Sequence, residues 1–313
     1  MTKIAYVFPG QGSQSVGMLS DVADAYPVVG ESFSHASELL GYDLWELVQN
    51  DPEEKLNQTE FTQPALLCAS IALWRVALAQ GARQPDIVAG HSLGEYSALV
   101  AAGVLEFSDA ISLVQKRGQF MQTAVPVGLG SMTAVLGLDD ANVKSICEQL
   151  STDTELVQAA NFNAPGQVVI SGHNAALEKV QPALKEAGAR KVIPLAVSAP
   201  FHSALMQPAA DKMATELEKV SLNRPVIRII QNVNAEYESD PDNIRANLVS
   251  QMHGAVLWTS TIENLARDGV EIIVECGPGK VLSSLNKRIS KTLQSFSINS
   301  VESLQSTITG LSE

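Results

Sequence analysis

Gly90-His91-Ser92-Leu93-Gly94 decides how the rest of this 313-residue chain is read. The pentapeptide follows an apolar stretch, Asp86-Ile87-Val88-Ala89. It runs into a helical segment, Glu95-Tyr96-Ser97-Ala98-Leu99-Val100-Ala101-Ala102. A strand, G-x-S-x-G and a helix in that order make a nucleophile elbow. The turn is too tight for side chains at its flanks, so glycines stand there. The serine sits at a helix N-terminus, where free N–H groups and the helix dipole favour developing negative charge. That chemistry is acyl transfer through a covalent serine ester. A plain helix N-cap after a glycine turn has the same local pattern. Neither the acyl group nor its acceptor can be read from the stretch itself.

Outward from the elbow, short apolar runs alternate with helical patterns, which predicts an α/β fold built on a parallel sheet. Lys3 to Phe8 reads as the first strand, followed by helices to about Asn50 and a helix over Thr62–Gln80. Helices over 92–102 and 108–124 follow the elbow strand. The next block has its own order: a strand at 132–136, a helix at 139–150, strands at 156–160 and 168–171, a helix at 174–187 and a strand at 191–197. The turn between its middle strands reads as Asn163-Ala164-Pro165-Gly166. This β-α-β-β-α-β order is the ferredoxin-like split motif. It divides the chain into a small subdomain, 127–197, inserted in a larger one, 1–126 and 198–313. The larger part resumes with helices over 202–220, a strand at 226–230, a helix at 241–252 and a strand at 272–274 ending in Gly277-Pro278-Gly279. Val301, Leu304, Ile308 and Leu311 give the tail a helical stripe.

Composition excludes several function classes. A hydrophobic fraction of 45% can supply a sizeable core. The net charge of −13 argues against nonspecific nucleic-acid binding. An anionic substrate or acidic partner would need a local basic patch. The candidates are Arg190-Lys191 and the cluster Lys280, Lys287, Arg288 and Lys291. The most apolar helical stretch, Ala65 to Ala79, carries Arg75 and falls short of a membrane span. Three scattered cysteines have no metal or disulfide spacing, which fits a reduced cytoplasmic protein. Nothing demands more than a monomer.

A serine nucleophile needs a base, an oxyanion hole and a group that orients the base. The elbow pattern assigns one oxyanion donor to the Leu93 N–H. The glycine-rich turn Pro9-Gly10-Gln11-Gly12-Ser13-Gln14, after the first strand, is the best source of a second. It lacks the G-x-G-x-x-G and Walker patterns of a nucleotide loop. Of five histidines, His202 leads by position, because it lies where a strand gives way to a helix and strand-end loops carry sites in open sheets. His35 and His173 carry no site signal, His91 should point away from its neighbour Ser92, and His253 could pack near Trp258. Asp211, Asp268 and Glu275 are all possible orienting acids, and none is selected; a backbone carbonyl would serve as well. Arg117 falls on the apolar stripe of Ala110, Val114 and Met121. An inward guanidinium needs an anionic partner. It is either a structural ion pair, an outward-snorkelling side chain, or a bidentate clamp for a substrate carboxylate.

Together, Phe8-Pro9-Gly10-Gln11-Gly12-Ser13-Gln14, Thr62-Gln63-Pro64-Ala65, Gly90 to Glu95, Phe201-His202-Ser203 and Gly277-Pro278-Gly279 resemble the malonyl-CoA:acyl-carrier-protein transacylase family. The likeness runs from the first strand to about Arg288 and is nearest to the discrete bacterial form of type II fatty acid synthesis. It implies a hydrolase-like α/β core with the ferredoxin-like insertion. It implies Ser92 as nucleophile, His202 as base, Gln11 and Leu93 as oxyanion-hole donors and Arg117 as holder of the malonyl carboxylate. The histidine would be oriented by the Gln251 backbone carbonyl. Gln63, Asn161 and Phe201 would line the substrate pocket, and the bulk of Phe201 resembles the malonyl-selective form. No metal or organic cofactor is implied. The partners would be malonyl-CoA and an acidic acyl carrier protein docking on Arg190, Lys191, Lys287 and Arg288. Three alternatives stay open: a serine acyl hydrolase or esterase, a trans-acting polyketide acyltransferase, and a non-catalytic scaffold.

Overall fold

Ile4-Ala5-Tyr6-Val7-Phe8 is apolar on both faces, as a strand buried between two layers of helices must be. The computed structural model describes residues 2–312; Met1 and Glu313, the outer bounds of the larger subdomain read from the sequence, lie outside them. In chain order the first part holds β1 (Lys3–Phe8), α1 (Ser20–Ala25), α2 (Pro27–Leu40), α3 (Leu44–Asn50), α4 (Thr59–Ala79), β2 (Ile87–Gly90), α5 (Gly94–Ala101) and α6 (Phe107–Gln122). The middle holds β3 (Gly130–Leu136), α7 (Asp140–Leu150), β4 (Val157–Ala164), β5 (Gln167–His173), α8 (Asn174–Glu186) and β6 (Lys191–Pro194). The last part holds α9 (Gln207–Leu217), β7 (Arg228–Ile230), β8 (Tyr237–Glu238), α10 (Pro241–His253), α11 (Trp258–Arg267), β9 (Val270–Cys276), α12 (Val281–Ile289), β10 (Gln294–Ile298) and α13 (Val301–Ser312).

The first and last parts share a six-stranded sheet, ordered β10-β9-β1-β2-β7-β8. All its pairings are parallel except β7 with β8. Successive side chains of β1 enter different cores. Ile4, Tyr6 and Phe8 join the layer that contains α4 and α6, and Ala5 and Val7 join the layer that contains α11 and α12. Trp74 of α4 meets Tyr6 and Phe8 edge-on at 5.5 and 6.2 Å between centroids, contacts worth about 0.5–1.5 kcal/mol each beyond area burial. Register then assembles the site. Phe8 pairs with Gly90 and Ala89 with Ile230, so the loops after β1, β2 and β7 emerge side by side at one end of the sheet, where α/β folds bind ligands.

The middle part forms a four-stranded antiparallel sheet, ordered β4-β5-β3-β6. One face packs on α7 and α8 around Val135, Val168 and Leu177. The other turns Met132 and Val169 toward the main core.

Several boundaries differ from expectation. The strand read as 156–160 runs on as β4 to Ala164, leaving Pro165-Gly166 as the turn, with Gly166 at φ 69°. β6 stops at Pro194, short of Val197, and the residues beyond it bend into the cleft described below. α4 begins at Thr59 and at 21 residues is long and apolar enough to cross a membrane by length and composition. That corrects the shorter stretch read from sequence. Its most apolar window is 83% buried inside the protein, so it is the central helix of the fold. α11, α12, β8 and β10 were not read from the sequence at all. α11 does carry a helical spacing, Trp258, Ile262 and Leu265, all on its buried face.

The elbow glycines answer to close packing. A Cβ on Gly94 would run into the Phe8 carbonyl oxygen, and one on Gly90 into the backbone of Gly94. Gly94→Ala should therefore force β1 and α5 apart and lower stability by about 1–3 kcal/mol, the usual cost of overpacking. Urea unfolding checks this; an unchanged midpoint would mean that the contact is slack.

Candidate active site

Ser92 stands between β2 and α5 with φ at 51°, in the left-handed region. A non-glycine residue there costs roughly 1–3 kcal/mol and persists only where its surroundings hold it. Asn232, two residues beyond β7, does the holding. Its Oδ1 accepts from the Ser92 N–H at 2.6 Å, and its Nδ2 donates to the Gly90 carbonyl at 2.6 Å. The backbone N–H groups of Gln11 and Leu93, residues that line the same cleft as the serine, find no acceptor among the described residues.

His202 also has a positive φ, 57°, and is buried. Its Nδ1 lies 2.8 Å from the backbone carbonyl of Gln251. A carbonyl only accepts, so Nδ1 carries the proton and Nε2 is left as an acceptor in the neutral ring. Ser92 Oγ stands 2.7 Å from Nε2 and donates to it. The Gln251 carbonyl is available because it belongs to the last turn of α10, whose carbonyls have no partner within the helix. None of the three candidate acids reaches the ring. Asp211 accepts from the Gln207 side chain, Asp268 from Arg228, and Glu275 from the N–H groups of Leu282 and Ser283 at the start of α12.

Arg117 is buried and makes three side-chain hydrogen bonds. Nη1 donates to Gln63 Oε1 at 2.9 Å; Nη2 donates to Gln251 Oε1 at 2.8 Å and to Ser92 Oγ at 3.2 Å. Its Nε has no hydrogen-bond partner among the described residues. The guanidinium lies 5.5 Å from the Tyr96 ring centroid. Burial disfavours its charge, and Tyr96 and Glu95 act against that. Among the described residues no carboxylate forms an ion pair with it, and it is buried, so neither a structural salt bridge nor an outward-snorkelling side chain describes it.

A cleft of about 180 Å³ opens between the two sheets. Ser92, His202, Arg117, Gln11, Leu93 and Gln63 line it, with Asn161 from β4 and Phe201 from the loop before His202. Gln251 lies behind this lining. Arg190, Lys191, Lys287 and Arg288 are exposed and lie outside the cleft. Arg288 donates to Gln167, which is in register with Leu136, which in turn pairs with Lys191. Both basic dipeptides thus lie toward one end of the small sheet. Among the described residues, no three His, Cys, Asp or Glu side chains gather to hold a metal ion.

Two histidine expectations need correction. His91 does not turn away from the site: it lines the cleft, and its Nε2 lies 2.8 Å from Asn163 Oδ1 on β4. The ring that packs on Trp258, at 5.6 Å, is also that of His91. His35 meets Ser108, and His173 Nδ1 accepts from the Leu156 N–H, both away from the cleft. Sequence reasoning missed Glu95, Gln231, Asn232 and Asn163. Glu95 was within reach, since three residues after Ser92 on a helix means the same face.

The acyl transferase domain family matches residues 5–310, and the chain belongs to that family. Its relatives narrow the membership. The malonyl CoA-acyl carrier protein transacylase of Salmonella typhimurium is 53% identical over 309 residues, covering 99% of this chain and 100% of that protein. An acyl carrier protein S-malonyltransferase structure from Vibrio cholerae is 52% identical with a TM-score of 0.95, over 97% of this chain and 99% of that one. A malonyl-transacylase solved in complex with a type II PKS acyl-carrier protein is 49% identical with a TM-score of 0.96, over 99% of this chain and 100% of that one.

Burial first, and the Arg117 charge second, lower the His202 pKa from 6.5 to about 3. A lowered pKa keeps the free-enzyme imidazole neutral as pH falls through its ordinary value. For a reaction in which neutral His202 is the base, kcat/KM should therefore hold level between about pH 8 and 5, because kcat/KM reports the free enzyme's groups. Stopped-flow kcat/KM across that range checks this; an acidic limb centred near 6.5 would contradict it.

Proposed function

We propose that the chain transfers the malonyl group of malonyl-CoA to the phosphopantetheine thiol of an acyl carrier protein, through a malonyl ester on Ser92, supplying fatty acid elongation. The observation that carries this is the unbroken line from Gln251 O through His202 to Ser92 Oγ, with Arg117 donating to the same oxygen. His202 Nε2 takes the Ser92 proton as Oγ attacks the thioester carbonyl. The oxyanion of the tetrahedral intermediate is held by the N–H groups of Leu93 and Gln11, an effect worth about 10²–10³ in rate per donor. The C–S bond breaks, and the imidazolium returns its proton to the departing CoA sulfur. The carrier thiol then gives its proton to His202 and attacks the ester, and Ser92 recovers its hydrogen. Arg117 pairs with the free malonyl carboxylate, with Gln63 steadying the guanidinium and Asn161 and Phe201 shaping the pocket.

The same reading extends to architecture. The larger lobe, 1–126 and 198–313, is a hydrolase-like core, and 127–197 is a ferredoxin-like insertion. The strand order β4-β5-β3-β6, with α7 and α8 on one face, supports the second assignment. An acidic carrier would dock on Arg190, Lys191, Lys287 and Arg288, whose common end of the small sheet favours one surface over two. Cys68, Cys147 and Cys276 are all free buried thiols, which suits a cytoplasmic protein. The named relatives act on malonyl-CoA and acyl carrier protein, which favours carrier thiol over water as the acceptor.

Intact mass after mixing with malonyl-CoA tests the nucleophile: the adduct should form on the native chain and be absent from Ser92→Ala. Free malonate released without carrier dependence would instead make the enzyme a hydrolase. Arg117→Ala should lose malonyl loading and gain relative acetyl loading, since acetyl leaves a buried guanidinium unpaired. Paired assays with the two thioesters read this directly, and an unchanged malonyl preference removes the clamp assignment.

A further inference from the structure

Glu95 is a fully buried carboxylate that the transfer mechanism above does not use. It sits in the first turn of α5, one helical step below Ser92, and three donors converge on it. Gln231 Nε2 donates to Oε1 at 3.0 Å. The Asn232 backbone N–H and Gln251 Nε2 both donate to Oε2 at 2.9 Å. Asn232 holds the Ser92 backbone, and Gln251 supplies the carbonyl to His202. The segment after β7 and the last turn of α10 are therefore tied to one carboxylate.

The Gln251 side chain makes the connection specific. Its Nε2 donates to Glu95 Oε2 and to the Ser92 carbonyl, at 2.9 and 3.1 Å. Its Oε1 accepts from Arg117 Nη2 at 2.8 Å. Arg117 can only donate and the Ser92 carbonyl can only accept, so the amide has one allowed orientation. Guanidinium, amide and carboxylate form a relay, with one amide between the two buried charges. Among the described residues no carboxylate lines the cleft itself; Glu95 lies behind its wall, one amide away from Arg117. Burial pushes the Glu95 carboxyl up from its usual range, and its three donors together with Arg117 act against that.

Resting on the proposed roles of Ser92, His202 and Arg117, we propose that Glu95 is a positioning residue for the transfer reaction. Through the Gln251 amide it fixes the carbonyl that orients His202, and it is the internal counter-charge of Arg117 in the free enzyme. Two opposite effects follow from removing its charge. The His202 support loosens, which slows acylation. Arg117 loses its resident anion, which strengthens its hold on the incoming malonyl carboxylate.

Single-turnover formation of the malonyl-enzyme, quenched and read by intact mass, separates these effects. In the isosteric Glu95→Gln variant the maximal acylation rate should fall about tenfold to a hundredfold, the scale of a small misplacement at a reacting centre. The half-saturating malonyl-CoA concentration should fall as well. A slower rate at unchanged half-saturation, as from a merely damaged fold, overturns the proposal, and so do unchanged kinetics. Gln251→Met keeps the backbone carbonyl and deletes the amide, so it should reproduce the same split and be non-additive with Glu95→Gln. It also serves as the readout if Glu95→Gln does not fold. Ser92→Ala in the same assay keeps the two readings apart. Adduct formation by Ser92→Ala removes the nucleophile assignment, whereas a silent Ser92→Ala beside a native-like Glu95→Gln removes only the role of Glu95.

Discussion

A serine cannot hold its own backbone in the left-handed region, and the whole site depends on the groups that hold Ser92 there. Two hydrogen bonds from one side chain, Asn232, clamp the residue before the elbow's histidine and the serine itself. Glycine at 90 and 94 lets β1, β2 and α5 come close enough for that clamp to reach. Asn232 reaches the elbow only because β7 lies parallel beside β2 in register. Sheet order, register and two missing Cβ atoms are thus parts of one constraint. His202 shares the positive φ of Ser92. Both strained residues lie at the meeting of the two sheets, where packing from each side can hold them.

Charge is the second constraint. Arg117 and Glu95 are both buried, and burying either charge alone would be strongly unfavourable. They are not in contact. Amides stand between and around them: Gln63 and Gln251 at the arginine, Gln231 and Gln251 at the carboxylate. An amide offers a donor at one end and an acceptor at the other, so it serves both ions at once. On the proposed function, direct ion pairing would occupy the guanidinium face that the substrate carboxylate takes. Glu275 shows the contrasting solution, a buried acid satisfied by two N–H groups at a helix start with no link to the site.

What the sequence made legible was local. The elbow is a pattern of adjacent residues. Arg117 was visible because Ala110, Val114 and Met121 mark an inward stripe, and all four residues are buried. His202 was visible because it follows a strand end. The partners that complete the site come from far along the chain. Asn232 is 140 residues from Ser92, and Gln251 is 156 from Glu95, and no spacing rule spans such distances. A search for an orienting acid was bound to miscarry on residue type alone, since the acceptor on His202 is a main-chain carbonyl and every residue has one. β10 escaped for a different reason. It is an edge strand, Gln294-Ser295-Phe296-Ser297-Ile298, with few apolar residues and mostly partial burial, which leaves a weak signature. α12 did carry a helical spacing, Leu282, Leu285 and Ile289, with Leu282 and Leu285 in the core.

The carbonyl at His202 Nδ1 has a consequence for the chemistry on the proposed reading. A carboxylate there would hold the imidazole's proton strongly. A carbonyl at a helix C-terminus does so weakly, and Arg117 next door disfavours the imidazolium further. The free enzyme therefore keeps a poor base. A malonyl carboxylate seated on Arg117 cancels the nearer positive charge, and the histidine beside it becomes more basic. An acetyl group carries no such charge and leaves the base as it was. Selection of a dicarboxylic acyl group and activation of Ser92 would then be one electrostatic event, read by the same guanidinium. A thioester suits this arrangement, because a thiol leaves with far less help from an acid than an amine does.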